Sequence, residues 1–236
     1  MTDAPHHSAP PGSGSPNRTP GDRTPGDRTP DDRKPGDGAR SALDTVLTRA
    51  DGAIDLAIGR RRQGWSKLDV SADGFWNSFA AIPACLPAML VVWLSHGRFV
   101  IENGAARSMG AAVVSLAVVE IVIWLVTIGL FVALAVPLRL ADRLVPTVVA
   151  VNWASVPIAY AQAVPGAIAL LAGMGPGIAF VTLIVQIIVL VGFWRVLDAA
   201  LERPWPIVLG AFVLTLTVGF VLFDVGEALF GLAPRA

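Results

Sequence analysis

Apolar residues are distributed unevenly along this chain. From Phe75 to the C-terminus they form about five long, nearly uncharged runs, and the segment before Phe75 contains no such run. An α-helix rises about 1.5 Å per residue, so about 20 apolar residues cross a hydrocarbon core about 30 Å thick. The pattern therefore predicts an all-α protein, a polytopic helical membrane bundle of about five transmembrane helices preceded by an N-terminal region of different character.

The five predicted spans form a transmembrane domain over 75–236. They lie at about 75–95, 111–137, 146–172, 177–194 and 206–231. Between the third and the fourth, residues 173–177 read Gly-Met-Gly-Pro-Gly, which is typical of a tight turn and predicts an antiparallel helical hairpin. Pro157 and Pro165 each remove a backbone donor from the third span. We expect that helix to be kinked, and a broken third helix, which would change the number of crossings, stays open.

The N-terminal region divides at about residue 41. Between Arg18 and Asp37 a five-residue unit based on Arg-Thr-Pro-Gly-Asp occurs four times. A proline every fifth residue is incompatible with a helix, and no apolar side chains are available to bury. Residues 1–40 are therefore predicted to be a disordered tail.

Residues 41–74 show a different pattern. Apolar residues recur at helical spacing from Leu43 to Ile58, which predicts an amphipathic helix followed by a basic linker. The helix is expected to lie at the membrane interface, where anionic lipid headgroups would contact four basic side chains. These are Arg60, Arg61, Arg62 and Lys67. A helix docked on the bundle itself fits the same pattern, and both interpretations stay open.

Basic residues in the flanks predict the orientation. The side of the N-terminus collects Arg49, Arg60, Arg61, Arg62, Lys67, Arg139, Arg143, Arg195 and Arg203, whereas the other side has Arg98, Arg107 and Arg235. Because basic flanks stay in the cytoplasm, the N-terminus is predicted to be cytoplasmic and, after five crossings, the C-terminus external and periplasmic. Sixteen Arg against two Lys, with abundant Ala, Val, Gly and Pro, indicate a GC-rich bacterial genome and hence an inner membrane.

Several polar residues fall at membrane depth, where each must face protein or water. Glu120 stands in the second span with no Lys or Arg inside any span, so we expect its carboxyl to be protonated much of the time. The candidate polar site is Glu120, Asn152, Gln162, Gln186 and Asp224. A proton-linked or polar-solute site that opens outward is one interpretation. Interhelical hydrogen bonding, worth about 0.6–2 kcal/mol per contact, is the other.

Three smaller expectations concern packing. Asn152 is expected to satisfy backbone carbonyls that Pro157 frees. The glycines of the fifth span are expected to allow close helix packing. They are Gly210, Gly219, Gly226 and Gly231. His96 is placed in an interfacial loop without a nearby partner.

Signatures of catalysis are missing from the sequence. There is no His-Glu-x-x-His motif, and the single Cys85 offers neither a metal pair nor a disulfide within the chain. The chain is therefore predicted to have no enzymatic activity, no cofactor and no metal. The net charge is zero and no basic face with interleaved aromatic residues is present, so nucleic acid is not an expected partner.

Two segments resemble a group of small multi-span membrane proteins of alphaproteobacteria. They are Gly-Phe-Trp-Asn-Ser-Phe at 74–79 and Val-Asn-Trp-Ala-Ser at 151–155. In layout the chain is also similar to the Yip-domain family of Rab-interacting membrane proteins, with Asp-Gly-Phe-Trp at 73–76 resembling that family's acidic-Gly-aromatic opening. The resemblance implies membrane organisation or partner binding and supplies no catalytic residue.

Two functions follow as expectations. The first is a non-enzymatic membrane organiser or partner-binding adaptor, whose N-terminal region contacts lipid or a cytoplasmic partner. The alternative is a small oligomeric permease or proton-coupled transporter that uses the polar layer around Glu120. A homo-oligomer or a membrane-protein partner is compatible with either.

Overall fold

The protein is described by a computed structural model, which covers residues 37–103, 108–137, 139–173 and 175–232. Every regular element in these ranges is helical. The helices are α1 (Asp37–Ala57), α2 (Arg61–Lys67), α3 (Ala72–Asn77), α4 (Ala81–Glu102), α5 (Met109–Ala135), α6 (Leu144–Ala172), α7 (Pro176–Leu201) and α8 (Trp205–Phe230), with 3-10 turns at Ser78–Ala80 and Ala141–Arg143. The predicted tail lies outside the described residues up to position 36. Helix α1 begins at Asp37, ahead of its predicted start at 41.

Five helical segments are long and apolar enough to cross a membrane, which confirms the predicted bundle. They are Ala72–Glu102, Met109–Ala135, Ala141–Ala172, Pro176–Leu201 and Trp205–Phe230. Two helices run well past the predicted spans, because the apolar pattern stops at the first charged flank while backbone hydrogen bonding continues. Helix α4 continues to Glu102, so the expected loop position of His96 is wrong: His96 lies within the helix.

The third crossing is not broken. Helix α6 runs continuously from Leu144 to Ala172 with Pro157 and Pro165 inside it. It ends at Gly173, whose φ of 79° lies in the left-handed region that glycine adopts without strain. Helix α7 follows at Pro176 and packs against α6, so the two form the expected antiparallel hairpin. A proline in a membrane helix is tolerated where neighbouring helices support the backbone.

Successive crossings alternate in direction, and this defines two ends of the bundle. The near end carries α1–α3, the end of α5, the start of α6, the end of α7 and the start of α8. The far end carries the end of α4, the start of α5, the α6–α7 turn and the end of α8. Within the bundle, α6 packs against both α4 and α7, and α5 packs mainly against α8.

The contact of α5 with α8 depends on one of the four glycines. A Cβ atom at Gly226 would lie 2.5 Å from Cγ2 of Val119, so only glycine fits there. At Gly210 and Gly219 a Cβ atom would meet nothing within 4 Å, and the expectation of close packing is wrong for both. Gly231 ends α8 with a φ of 61°, which is a helix-capping role.

Helices α1–α3 (37–77) form what we call the N-terminal platform. Ala53 and Leu56 of α1 are fully buried in a core that also contains Val149 of α6 and Val196 of α7. Burying apolar side chains of this size contributes about 1 to 3 kcal/mol each. One face of α1 is therefore docked on the bundle, as the second of the two interpretations of this segment expected.

The start of α3 explains the glycine of the Asp-Gly-Phe-Trp segment. Ser71 caps the helix by accepting a hydrogen bond from the Gly74 amide at 3.1 Å, and its own amide donates to Oδ1 of Asp69 at 3.0 Å. A Cβ atom at Gly74 would lie 2.1 Å from the carbonyl oxygen of Asp69. Hydrogen bonds from Ser71 also lower the pKa of the Asp69 carboxyl.

Candidate functional site

A cavity of about 300 Å³ lies between α4, α5 and α6 at membrane depth. Its walls are mainly aliphatic, and a few polar and aromatic side chains are placed among them. These are Cys85 and Trp93 of α4, Glu120 and Trp124 of α5, and Ser155 and Gln162 of α6. Such a cavity, apolar with a small number of convergent polar groups, is typical of a small-molecule site.

The cavity brings together two of the five residues proposed from sequence, Glu120 and Gln162. Among the described residues, Glu120 has no hydrogen-bond or ion-pair partner. Gln162 points also towards α7, where its Nε2 atom lies 3.5 Å from Oε1 of Gln186. That distance is at the outer limit of a hydrogen bond, so the contact between the two amides is weak.

Asp224 does not join this layer. It is exposed on the outer surface of α8, whereas Gly226 on the same helix is buried against α5. Two helix positions that are two residues apart differ by a rotation of about 200° around the helix axis. A helix that buries Gly226 therefore turns Asp224 away from the bundle. Of the polar layer expected around Glu120, the structure therefore brings together Glu120, Gln162 and Gln186.

Asn152 is fully buried and has a structural contact. Its Nδ2 atom donates to Oγ of Ser78 at 2.8 Å, which joins α6 to the 3-10 turn before α4. The expectation that it satisfies a carbonyl freed by Pro157 is not met among the described residues, where the hydrogen bond that its amide donates goes to Ser78. Its Oδ1 atom is buried and has no partner among the described residues. Ser155 donates to the Asn152 carbonyl at 2.6 Å and lies 3.5 Å from Sγ of Cys85.

A polar pair that the sequence did not reveal lies near the far end. Nε2 of His96 is 2.7 Å from Oε1 of Glu227, and the imidazole also packs against Phe223. The sequence signal was weak: both residues fall close to the same end of their spans, but nothing showed that α4 and α8 are neighbours there.

The four proposed lipid-contacting residues lie in and after the α1–α2 connection, and three of them have carboxylate partners. Nζ of Lys67 is 2.5 Å from Asp51 and 2.6 Å from Asp55, and these hydrogen bonds raise the pKa of Lys67. Arg61 pairs with Asp198 of α7. The charge available to headgroups is therefore smaller than the sequence suggested.

The other two basic residues differ from each other. Arg60 lies 3.8 Å from the buried carboxylate of Asp55. Arg62 is exposed, and no ion pair joins it to another described residue. Headgroup contact stays a prediction for this set, with Arg62 as the member whose charge is not already paired.

No group of three or more His, Cys, Asp or Glu side chains that could hold a metal occurs in the ranges that the structure describes. No protein-family model, curated protein or solved structure matches the chain. The fold and the five apolar helices define its class: it is an all-α, multi-pass membrane protein.

Proposed function

We propose that this protein is a non-enzymatic membrane organiser of a bacterial inner membrane, which seats its N-terminal platform in the cytoplasmic lipid interface. The observation that carries the proposal is the second apolar face of α1. Its members are Leu43, Leu47 and Ile54, together with Ile58 directly after the helix, and all four are at least 41% exposed. They lie within about 60° of one another around the helix, beside the face that is docked on the bundle.

Continuity with the outer surface of α7 supports lipid as the partner of this face. Ile54 and Ile58 line one shallow apolar groove together with Ile187, Ile188 and Val191 of α7. These three α7 residues are 50–63% exposed within a membrane-spanning helix. A surface that continues the lipid-facing side of a span is best covered by the same lipid, and exposed Arg62 adds a contact for an anionic headgroup.

Spin labels test this seating of α1. In a Cys85→Ala background, Leu47→Cys would be labelled on the exposed apolar face and Asp44→Cys on the charged face as the matched control. In vesicles containing phosphatidylglycerol, we expect collisions with oxygen to dominate at position 47 and collisions with a water-soluble nickel complex to dominate at position 44. Equal accessibility to the nickel complex at both positions would contradict lipid as the partner and leave a protein partner as the occupant.

The transporter alternative is favoured by a specific observation, the cavity that Glu120 and Gln162 share. Substrate flux in proteoliposomes that is lost in Glu120→Gln and retained in Leu43→Asp/Leu47→Asp would favour transport. Deleting 41–67 would be uninformative, because that segment contributes Ala53 and Leu56 to the core. Surface substitutions on α1 separate the two functions without removing core residues.

A further inference from the structure

The cavity between α4, α5 and α6 contains one carboxyl group. Among the described residues that line it, only Glu120 carries an ionisable carboxyl, and no basic side chain lines it. A carboxylate in an apolar surrounding is costly to leave unpaired and favours a cation or a proton beside it. The protein supplies no cation there, so the chemistry of the cavity is suited to a cationic ligand.

Two indole rings line the same cavity as this carboxyl. Trp93 enters from α4 and Trp124 from α5. The face of an indole attracts organic ammonium ions, with a gain of about 0.5–2 kcal/mol that grows when water is excluded. A carboxyl with two indoles is a set of groups that recognises an organic ammonium better than a hydrated metal ion, which prefers several oxygen ligands.

The position of the cavity indicates how a ligand would reach it. Leu86 of α4 and Ile121 of α5 both line it, and they are also 47% and 53% exposed on the outer surface of the bundle. The cavity therefore borders the lipid, and a ligand dissolved in the bilayer can enter between α4 and α5. A volume of about 300 Å³ is at the lower end of the range for small-molecule sites, which limits the ligand to about the size of one aryl group with short alkyl chains.

We propose that this cavity binds lipophilic organic cations, with the ammonium group beside the Glu120 carboxylate and the indoles of Trp93 and Trp124 around it. Ser155 and Gln162 offer hydrogen bonds to a polar substituent of the ligand. The inference does not rest on the organiser function, since none of the residues of the exposed apolar face of α1 lines the cavity. If the protein is a transporter, lipophilic organic cations would be its class of substrate.

The test is equilibrium binding of radiolabelled benzyltriethylammonium to the full-length protein in lipid nanodiscs, with the neutral isostere in which carbon replaces nitrogen as competitor. Glu120→Gln keeps the shape of the side chain and removes its charge, and we expect at least a tenfold weaker affinity. Asp224→Asn is the matched control, because it removes a carboxylate from a membrane helix outside the cavity, and its affinity should equal that of the unchanged protein.

Two further measurements keep the proposal falsifiable if Glu120→Gln does not fold. Trp93→Leu and Trp124→Leu should each weaken binding of the cation about threefold to tenfold. In the unchanged protein, unlabelled ammonium should displace the label and the isostere should not. No saturable binding, equal displacement by the isostere, or equal loss in Asp224→Asn would each overturn the proposal. None of these outcomes bears on the spin-label test of α1.

Discussion

Nε2 of His96 lies 2.7 Å from Oε1 of Glu227, and this contact joins the first membrane-spanning helix to the last near the far end of the bundle. Both side chains are partly buried, and the ring of Phe223 packs edge-on against the imidazole with 5.7 Å between the ring centroids. Neither residue of this pair belongs to the candidate polar site that was predicted from the sequence. The pair is a direct side-chain contact between α4 and α8.

A double-mutant cycle should detect this contact. We expect His96→Ala and Glu227→Ala each to lower stability by about 0.5–2 kcal/mol, because each leaves a partly buried polar group without its partner. The two changes together should cost less than the sum of the single changes, by about 0.6 kcal/mol or more. Thermal unfolding in detergent measures the four states of the cycle. Strict additivity would show that the contact contributes nothing.

Gly226 and Gly219 lie on the same helix and should respond in opposite ways to alanine. Gly226→Ala should destabilise the protein by about 1–3 kcal/mol, because its methyl group would overlap Val119 of α5. Gly219→Ala meets open space and should raise stability by about 0.5–1 kcal/mol through better helix propensity. Val119→Ala should partly rescue Gly226→Ala. Unfolding midpoints that fall equally for both glycines would contradict this packing.

The hydrogen bonds of Lys67 predict that the folded protein loses stability at alkaline pH. Its pKa is raised in the folded protein by hydrogen bonds to Asp51 and Asp55, so the folded state holds the proton more tightly than the unfolded state. The stabilisation is complete below the unfolded pKa of about 10.4 and is lost as the pH rises through the higher folded value. Lys67→Met should remove this part of the pH dependence.

The measurement is the unfolding midpoint between about pH 8 and pH 11, compared with the Lys67 variant. Asp51→Asn, which removes only the more exposed of the two carboxylates, should reduce the alkaline loss without abolishing it. Lys67→Met should also lower stability at neutral pH, because it removes the nearest cation from the buried carboxylate of Asp55. An unchanged alkaline profile in Lys67→Met would show that another group titrates.

Cysteine labelling tests the proposed cytoplasmic position of the near end. In a Cys85→Ala background, Ser66→Cys lies exposed between α1 and α3, and Asn103→Cys lies exposed after α4. A membrane-impermeant maleimide added to intact spheroplasts should label position 103 and leave position 66 unlabelled until the cells are lysed. The reverse pattern would invert the orientation inferred from the flanking arginines.

The position of α1 shows why the sequence predicted the helix in the N-terminal region but not the surface that it packs against. Its spacing predicted an amphipathic helix, which the structure contains, but one apolar pattern fits both a lipid surface and a protein surface. The structure separates the pattern into a buried face with Ala53 and Leu56 and an exposed face with Leu43 and Leu47. Which side chains of α1 are buried depends on where α6 and α7 pack against it, and these two helices are far from α1 in the sequence.

The five long apolar helices and their order could be read from the sequence alone, because transfer of an apolar run into hydrocarbon is a local property of that run. The sequence also determined that Glu120 has no basic partner within its own span. Which polar side chains meet depends on how the helices pack in the folded bundle. The spans are apolar on nearly all sides, so their rotation is set by packing such as that of Gly226 on Val119, and this rotation turns Asp224 outward while Glu120 and Gln162 face one cavity.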